Sequence, residues 1–428
     1  MKTSAALARI APSRTTAMTD RASELRAEGR DIISLSVGEP DFATPPHVAE
    51  AAKRAIDEGQ TRYTPVVGTM ALRKAAALHF HRDLGIAVPA EQVIVSAGGK
   101  QAIFHALLAT LDPGDEVLIP APWWVSYPEI VRFAGATVVP LYTDAASGFR
   151  ITAAQLDAAI TPRTRWLLLN SPGNPTGSVY SAEDLMSFAE VLHRHPQVLV
   201  MSDDIYAPLR YTPGAHATPA ALCPDLADRV LTVSGVSKSH AMTGFRIGVS
   251  AGPEWLIKAM GKLQSHSSGN PCSVSQAAAV AAFEGPQRYL ADWCEQFRAR
   301  RDRVVAAINA VPGLSTPAPE GAFYCMVDAA AHMARFGDDE ALCLHFLEHG
   351  VAVVAASAFG GKDGFRISFA ADQATLDEAC RRIAKALACP RSRSCSRTAK
   401  PSSSTSPRAS RSNGRAPAGA ALKTISKT

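Results

Sequence analysis

The sequence predicts an α/β fold: a mostly parallel, seven-stranded sheet flanked by helices, joined to a smaller α+β domain. Three observations predict it. Seven short apolar runs alternate with helical patterns through the centre of the 428-residue chain. Several of them, WLLLN and VLVMSD among them, are apolar at nearly every position, as strands covered on both faces must be. Beyond residue 286 the alternation gives way to one long amphipathic helix and then a short series of helix, two strands and helix.

Strands are expected at 92–96, 116–120, 137–142, 165–170, 197–203, 229–234 and 246–250, with helices at 100–111, 182–193 and 255–264 between them. Residues 287–311 read as one helix, because Leu290, Trp293, Phe297, Val304 and Ile308 recur at helical spacing. ALCLHFLEHG, VAVVAAS and FRISFA then read as a helix and two strands, and 373–387 as a closing helix. The expected division is an N-terminal arm with part of a small domain (1–45), a large domain (46–285), a linking helix with the rest of the small domain (286–387), and a tail (388–428).

Composition narrows the functional classes. At 47% hydrophobic residues the chain can build a large core. No apolar run approaches the roughly 18 residues that a membrane helix needs, 351–359 being among the longest. The first residues lack the sustained apolar segment of a secretory signal. Eight cysteines without a CxxC pair suit reduced thiols in the cytoplasm. The net charge of +5 is uneven: after residue 387 there are nine Lys or Arg and no acid, which leaves the first 387 residues at −4. The Ser/Arg/Pro-rich tail is expected to be disordered and dispensable. It carries no aromatic residue on which a base could stack, so no specific nucleic-acid partner is expected.

In open α/β sheets ligands bind at the carboxyl ends of the strands, so polar residues just after apolar runs carry the functional signal. AGGK, residues 97–100, opens a helix pattern; its glycines are either a tight turn or a place where backbone N–H groups meet a phosphate. NSPGNPTG follows WLLLN and is a turn that can project Asn174 into the crevice. SDDIY follows VLVM; Asp203 either caps the next turn or faces a protonated ring nitrogen, with Tyr206 donating to an oxyanion. In SGVSKSHAMTGFRIG, Lys238 sits among small residues and is either a solvated charge or a Schiff-base nucleophile. Arg246 opens the apolar RIGVSAG and suggests a fixed anion. Arg366, inside GFRISFA, either faces solvent on an edge strand or holds a carboxylate. Together these residues form the inventory of a pyridoxal-phosphate enzyme acting on amino acids.

SVGEPDF, YTPVVG, AGGKQA, APWWVSYPE, NSPGNPTG, SDDIY, GVSKSHAMTGFRIG, PEGAFY and FRIS resemble, in order, the motifs of fold-type I pyridoxal-phosphate aminotransferases. The bacterial aspartate aminotransferase branch is the nearest match, from about residue 10 to 387. The resemblance implies pyridoxal 5′-phosphate as cofactor, with Lys238 as its Schiff-base lysine and proton shuttle. Asp203 would pair with the ring nitrogen, Tyr206 and Asn174 with the ring oxygen, and Trp124 would stack on the ring. Gly98, Gly99, Ser237 and Arg246, beside Lys100, would surround the phosphate. Arg366, Asn174, Trp124 and the Gly38 backbone would grip the substrate α-carboxylate. Tyr63 would reach the cofactor of a second subunit, which implies a homodimer with shared sites. Lys100 resembles the lysine that meets a second carboxylate in this branch, with Thr15 bordering the same pocket.

The implied reaction is ping-pong amino transfer from aspartate or glutamate to a 2-oxo acid. Prephenate or aromatic amino acid transamination, and a non-transaminating lyase, are the alternatives. The chain departs from the common pattern at His240, where a tyrosine is usual, at Asp204, at His266 and at Ala355–Ala356.

Overall fold

The computed structural model describes residues 3–388. Twelve strands follow one another there: β1 (Ile33–Ser34), β2 (Val93–Ser96), β3 (Glu116–Ala121), β4 (Thr137–Tyr142), β5 (Thr164–Asn170), β6 (Leu199–Asp203), β7 (Val230–Gly235), β8 (Gly248–Ala251), β9 (Tyr324–Asp328), β10 (Val351–Ala352), β11 (Val354–Ala355) and β12 (Gly364–Ser368). The seven predicted central runs make one sheet in the order β2-β8-β7-β6-β5-β3-β4. It is parallel except at β8, which runs against both its neighbours. That is the α/β class the apolar runs predict.

The runs are apolar throughout because both faces are covered. Along β5, Trp166 and Leu168 join one cluster with Ala102, Ile103, Ala106 and Leu107 of the helix Gly99–Thr110. Leu167 and Leu169 point the other way, onto Leu185 and Phe188 of the helix Ala182–Arg194. Trp166 is fully buried and donates Nε1–H to Thr110 Oγ1 at 2.9 Å. Truncating it to alanine would cost about 3–5 kcal/mol.

A second, antiparallel sheet has the order β11-β12-β9, and β1 pairs in parallel with β10. The long helix spans Tyr289–Asn309; Phe297, Val304 and Ile308 join the core beneath this sheet, Trp293 is buried against Phe42, and Leu290 is only half-buried. Two boundary expectations need correction. VAVVAAS is not one strand: it changes partners at Val353, giving β10 to β1 and β11 to β12. Arg246 does not open a strand, because its backbone is left-handed at φ 56°, and β8 begins two residues later at Gly248. The closing helix runs Gln373–Ala388, one residue past the expected end. The remaining expectation for the tail, 389–428, lies outside the described residues.

Register places the strand ends that matter side by side. Asn170 at the end of β5 pairs with Asp203 at the end of β6, and Asp203 pairs with Val233 of β7. The crevice between the two sheets opens above these ends.

Candidate active site

Asp203 ends β6 and is buried. The Tyr127 hydroxyl, from the helix Ser126–Ala134, donates to its Oδ2 at 2.6 Å, and Ile205 N–H to Oδ1 at 3.3 Å. Asp203 therefore does cap the following turn, yet its carboxylate also lines a cavity of about 410 Å³. Desolvation pushes its carboxyl up to about 6, with the Tyr127 hydroxyl holding it down. Tyr206, in the turn after β6, is buried with its hydroxyl 2.9 Å from that of Tyr324. Burial raises the Tyr206 phenol well above its usual range.

Lys238 follows β7 on a short loop. Its ammonium donates to the Gly38 carbonyl and lies 5.9 Å from the ring centres of Tyr206 and Phe323. Burial lowers the amine to about 8, while the nearby Glu39 carboxylate works the other way. The plain expectation of a solvated surface lysine is thus set aside.

Arg366 lies in β12, the middle strand of its sheet, and is 3% exposed. It is no edge-strand cation in water. It donates to Asn174 Oδ1 at 3.0 Å and to the Ser36 carbonyl at 2.6 Å, and among the described residues Nε has no hydrogen-bond partner. Asn174 is held in turn by its own N–H donating to Asn170 Oδ1 at 2.8 Å, and Asn170 donates to the Asp203 carbonyl at 2.8 Å. One chain of bonds thereby links the guanidinium to the strand end that carries Asp203.

At the start of the helix Gly99–Thr110, Gly98 has φ 87°, and a Cβ there would stand 2.4 Å from Arg246 Nη2. A Cβ on Gly248 would meet the Gly98 carbonyl carbon and the Gly99 nitrogen at 2.5 Å. Only glycine permits this approach of Arg246 to the first turn, whose N–H groups have no intrahelical acceptor. Arg246 itself donates to the Thr243 and Ala97 carbonyls. Lys100, one residue into the helix, sits 5.0 Å from the Trp124 ring centre, and burial lowers its amine.

The cavity lining includes Gly38, Gly99, Lys100, Trp124, Asn174, Asp203, Tyr206, Ser237, Lys238, Arg246 and Arg366, with Thr15 at its rim. Four of these are cations, and among the described residues none of the four is in a salt bridge; Asp203 and Glu39 are the carboxylates that line the same space. Gly98 is not in the lining, but it adjoins Gly99 and Arg246, which are. Tyr63 is not brought to this cavity; it is 99% exposed and borders a separate cleft with Arg54, Arg62 and Ser273.

A model of the family "Aminotransferase class I and II" matches residues 30–383, which contain every one of these positions but Thr15. The chain belongs to that family. It is 51% identical over 385 residues to an aspartate/prephenate aminotransferase of Cereibacter sphaeroides, covering 88% of this chain and 96% of that protein. The crystal structure of the aspartate aminotransferase of Rhizobium meliloti is 46% identical with a TM-score of 0.86, covering 90% of this chain and 98% of that one. The aspartate aminotransferase of Thermus thermophilus with maleate is 40% identical with a TM-score of 0.85, covering 90% of this chain and all of the other. The chain is accordingly an aminotransferase with the aspartate aminotransferase fold.

Sequence reasoning gave no role to several residues that line this aminotransferase's cavity: Tyr127, Tyr324, Glu39, Asn170 and Ser36. Tyr127 stands three positions after Trp124, a helical neighbour spacing that could have flagged it. Tyr324 closes PEGAFY and looks like any apolar strand residue. Glu39 sits in SVGEPDF, where a loop carboxylate reads as solvated; here its Oε2 accepts from Thr243 Oγ1 at 2.8 Å.

Proposed function

We propose that the cavity binds pyridoxal 5′-phosphate beside an amino acid, and that the enzyme moves the amino group of aspartate or glutamate to a 2-oxo acid in a ping-pong sequence. The observation that carries this reading is four cations without salt-bridge partners among the described residues, set around the buried carboxylate Asp203. Such a site asks for a ligand set with several anionic groups and one cationic ring nitrogen.

The residues present fit the cofactor. Gly98, Gly99, Ser237 and Arg246 form a cradle that a Cβ would fill, suited to a phosphate at a helix start. Asp203 faces the crevice as partner for a protonated ring nitrogen, Tyr206 and Asn174 for a ring oxygen, Trp124 for a ring face, and Lys238 would hold the cofactor covalently through its amine. When bound, the cofactor supplies an electron sink for the pair left as Cα loses its proton.

The chain's own residues do the rest. Arg366 holds the α-carboxylate as a planar two-point donor, and Asn174 fixes its orientation. Holding the carboxylate selects which Cα bond stands ready to break, favouring loss of the proton over loss of CO₂. The Lys238 amine, brought to about 8 by burial, is in part neutral near pH 7 and able to take the proton and return it nearby. Lys100, lining the same cavity, is the candidate for a second carboxylate.

Prephenate is a second reading, supported by the name of the Cereibacter sphaeroides relative. We also propose a cytoplasmic homodimer. An aromatic side chain as exposed as Tyr63, beside a cleft of about 590 Å³, supports a contribution to a neighbouring subunit. Within each subunit, residues 46–285 would form the cofactor-binding domain, and 286–387 with part of the N-terminal arm the smaller one.

Initial rates with aspartate, glutamate, phenylalanine and prephenate as partners test the substrate reading. Faster turnover of the dicarboxylates, lost on Lys100→Ala, is expected. Ammonia release without amino transfer to any 2-oxo acid would instead mean a lyase.

A further inference from the structure

Tyr324, to which the sequence gave no role, lies between Arg366, Tyr206 and Gly38 in the site. It begins β9, where it pairs with Ser368, so it lies on the same face as Arg366 two residues away on β12. The side chain is fully buried. Its ring centre lies 4.5 Å from the Arg366 guanidinium carbon, which Phe359 flanks at 4.8 Å. Its hydroxyl is 2.9 Å from that of Tyr206. A Cβ on Gly38, whose carbonyl accepts from Lys238, would stand 2.5 Å from the same hydroxyl. The small sheet thus reaches the turn after β6 through one phenol.

We propose that Tyr324 is a positioning residue that couples the carboxylate-holding Arg366 to the phenol of Tyr206. The inference rests on the cofactor reading above and deepens it. Each phenol has one proton. If Tyr206 gives its proton to the cofactor's ring oxygen, the 2.9 Å contact is kept only when Tyr324 donates to the Tyr206 oxygen. A donor bonded in this way is itself a stronger donor, so Tyr324 strengthens the bond made by Tyr206. A stronger bond from Tyr206 to an anionic ring oxygen would lower the basicity of that oxygen, and with it the pH at which the bound cofactor's absorbance titrates. At its other end the Tyr324 ring supplies an electron-rich face to a buried guanidinium. The charged and titratable groups around the pair are Arg366 from β12, Asp203 from β6, Lys238 from the loop after β7, and Glu39 from the segment after β1.

The test uses the full chain loaded with pyridoxal 5′-phosphate, in Tyr324→Phe and Tyr324→Leu forms. Two readouts are taken: the pH titration of the cofactor's visible absorbance, and the Kd for maleate followed by the change in that absorbance. Tyr324→Phe keeps the ring and removes only the hydroxyl. It should move the titration midpoint up by roughly 0.3–0.7 of a pH unit while maleate affinity stays within twofold. Tyr324→Leu should show that shift and also weaken maleate by roughly 3- to 30-fold. A Tyr324→Phe titration that overlays the parent's, or a Tyr324→Leu protein that binds maleate as the parent does, overturns the inference. A parent protein that takes up no pyridoxal 5′-phosphate would sink the cofactor reading itself, which is a different result.

Discussion

The Tyr127 hydroxyl lies 2.6 Å from the Asp203 carboxylate, and both side chains are buried. Desolvation favours the neutral acid at Asp203 and the hydrogen bond favours the carboxylate, so Tyr127 sets the balance between them. In Tyr127→Phe the carboxyl should rise further, by about one unit. Affinity for pyridoxal 5′-phosphate, measured by titrating cofactor-free protein, should fall as pH drops through about 6 in the parent. In the variant the fall should begin near one pH unit higher. Superimposed affinity profiles would contradict this.

Lys238 exacts a stability cost in the cofactor-free protein. Its amine sits at about 8 against 10.5 for an unperturbed lysine, so between those values the unfolded chain binds more protons and stability rises with pH. The penalty is fully present below pH 8 and vanishes above 10.5. Lys238→Met should therefore be more stable than its parent by about 1–3 kcal/mol at pH 7, with the gap closing by pH 10.5. Denaturant melts of both proteins at the two pH values check this; equal stability at pH 7 would refute it. The same variant should lose all amino transfer and the cofactor's visible absorbance.

Arg366→Lys keeps the charge and loses the fork that donates to Asn174 and to the Ser36 carbonyl. A single ammonium cannot hold a carboxylate at two points. We expect kcat/KM for aspartate to fall about 100-fold, with cofactor absorbance unchanged. A loss smaller than threefold would show that the carboxylate is held elsewhere.

Gly98→Ala strains a backbone at φ 87° and drives a Cβ against Arg246 Nη2. The arginine, being the flexible partner, gives way and leaves the cradle. Affinity for pyridoxal 5′-phosphate should fall roughly 10- to 100-fold, with substrate discrimination unchanged once the site is saturated. Fluorescence titration of cofactor-free protein reads this directly. Undiminished affinity would remove Arg246 from the cradle.

The central sheet was legible because a strand buried on both faces has to be apolar along its length, and seven such runs stand out. The polar residues at the ends of those runs, Asn174, Asp203 and Lys238, stand out against the apolar pattern, although local sequence does not tell a turn, a cap or a solvated charge from a group that faces the crevice. Two strand boundaries misled. Arg246 has a left-handed backbone and lays its side chain against Gly98, and the exchange of partners at Val353 comes from the meeting of two sheets. Neither leaves a mark in local composition.

By itself the sequence determined the fold class, the family and the strand ends that face the crevice, since these depend on periodicity and on residues close together along the chain. Only the tertiary structure decided which groups act on one another. Tyr127 meets Asp203 across 76 positions, Arg366 meets Asn174 across 192, and Tyr324 meets Tyr206 across 118. Those contacts shift a carboxyl, orient a guanidinium and join two phenols, because desolvation and hydrogen bonding act through space and are indifferent to separation along the chain.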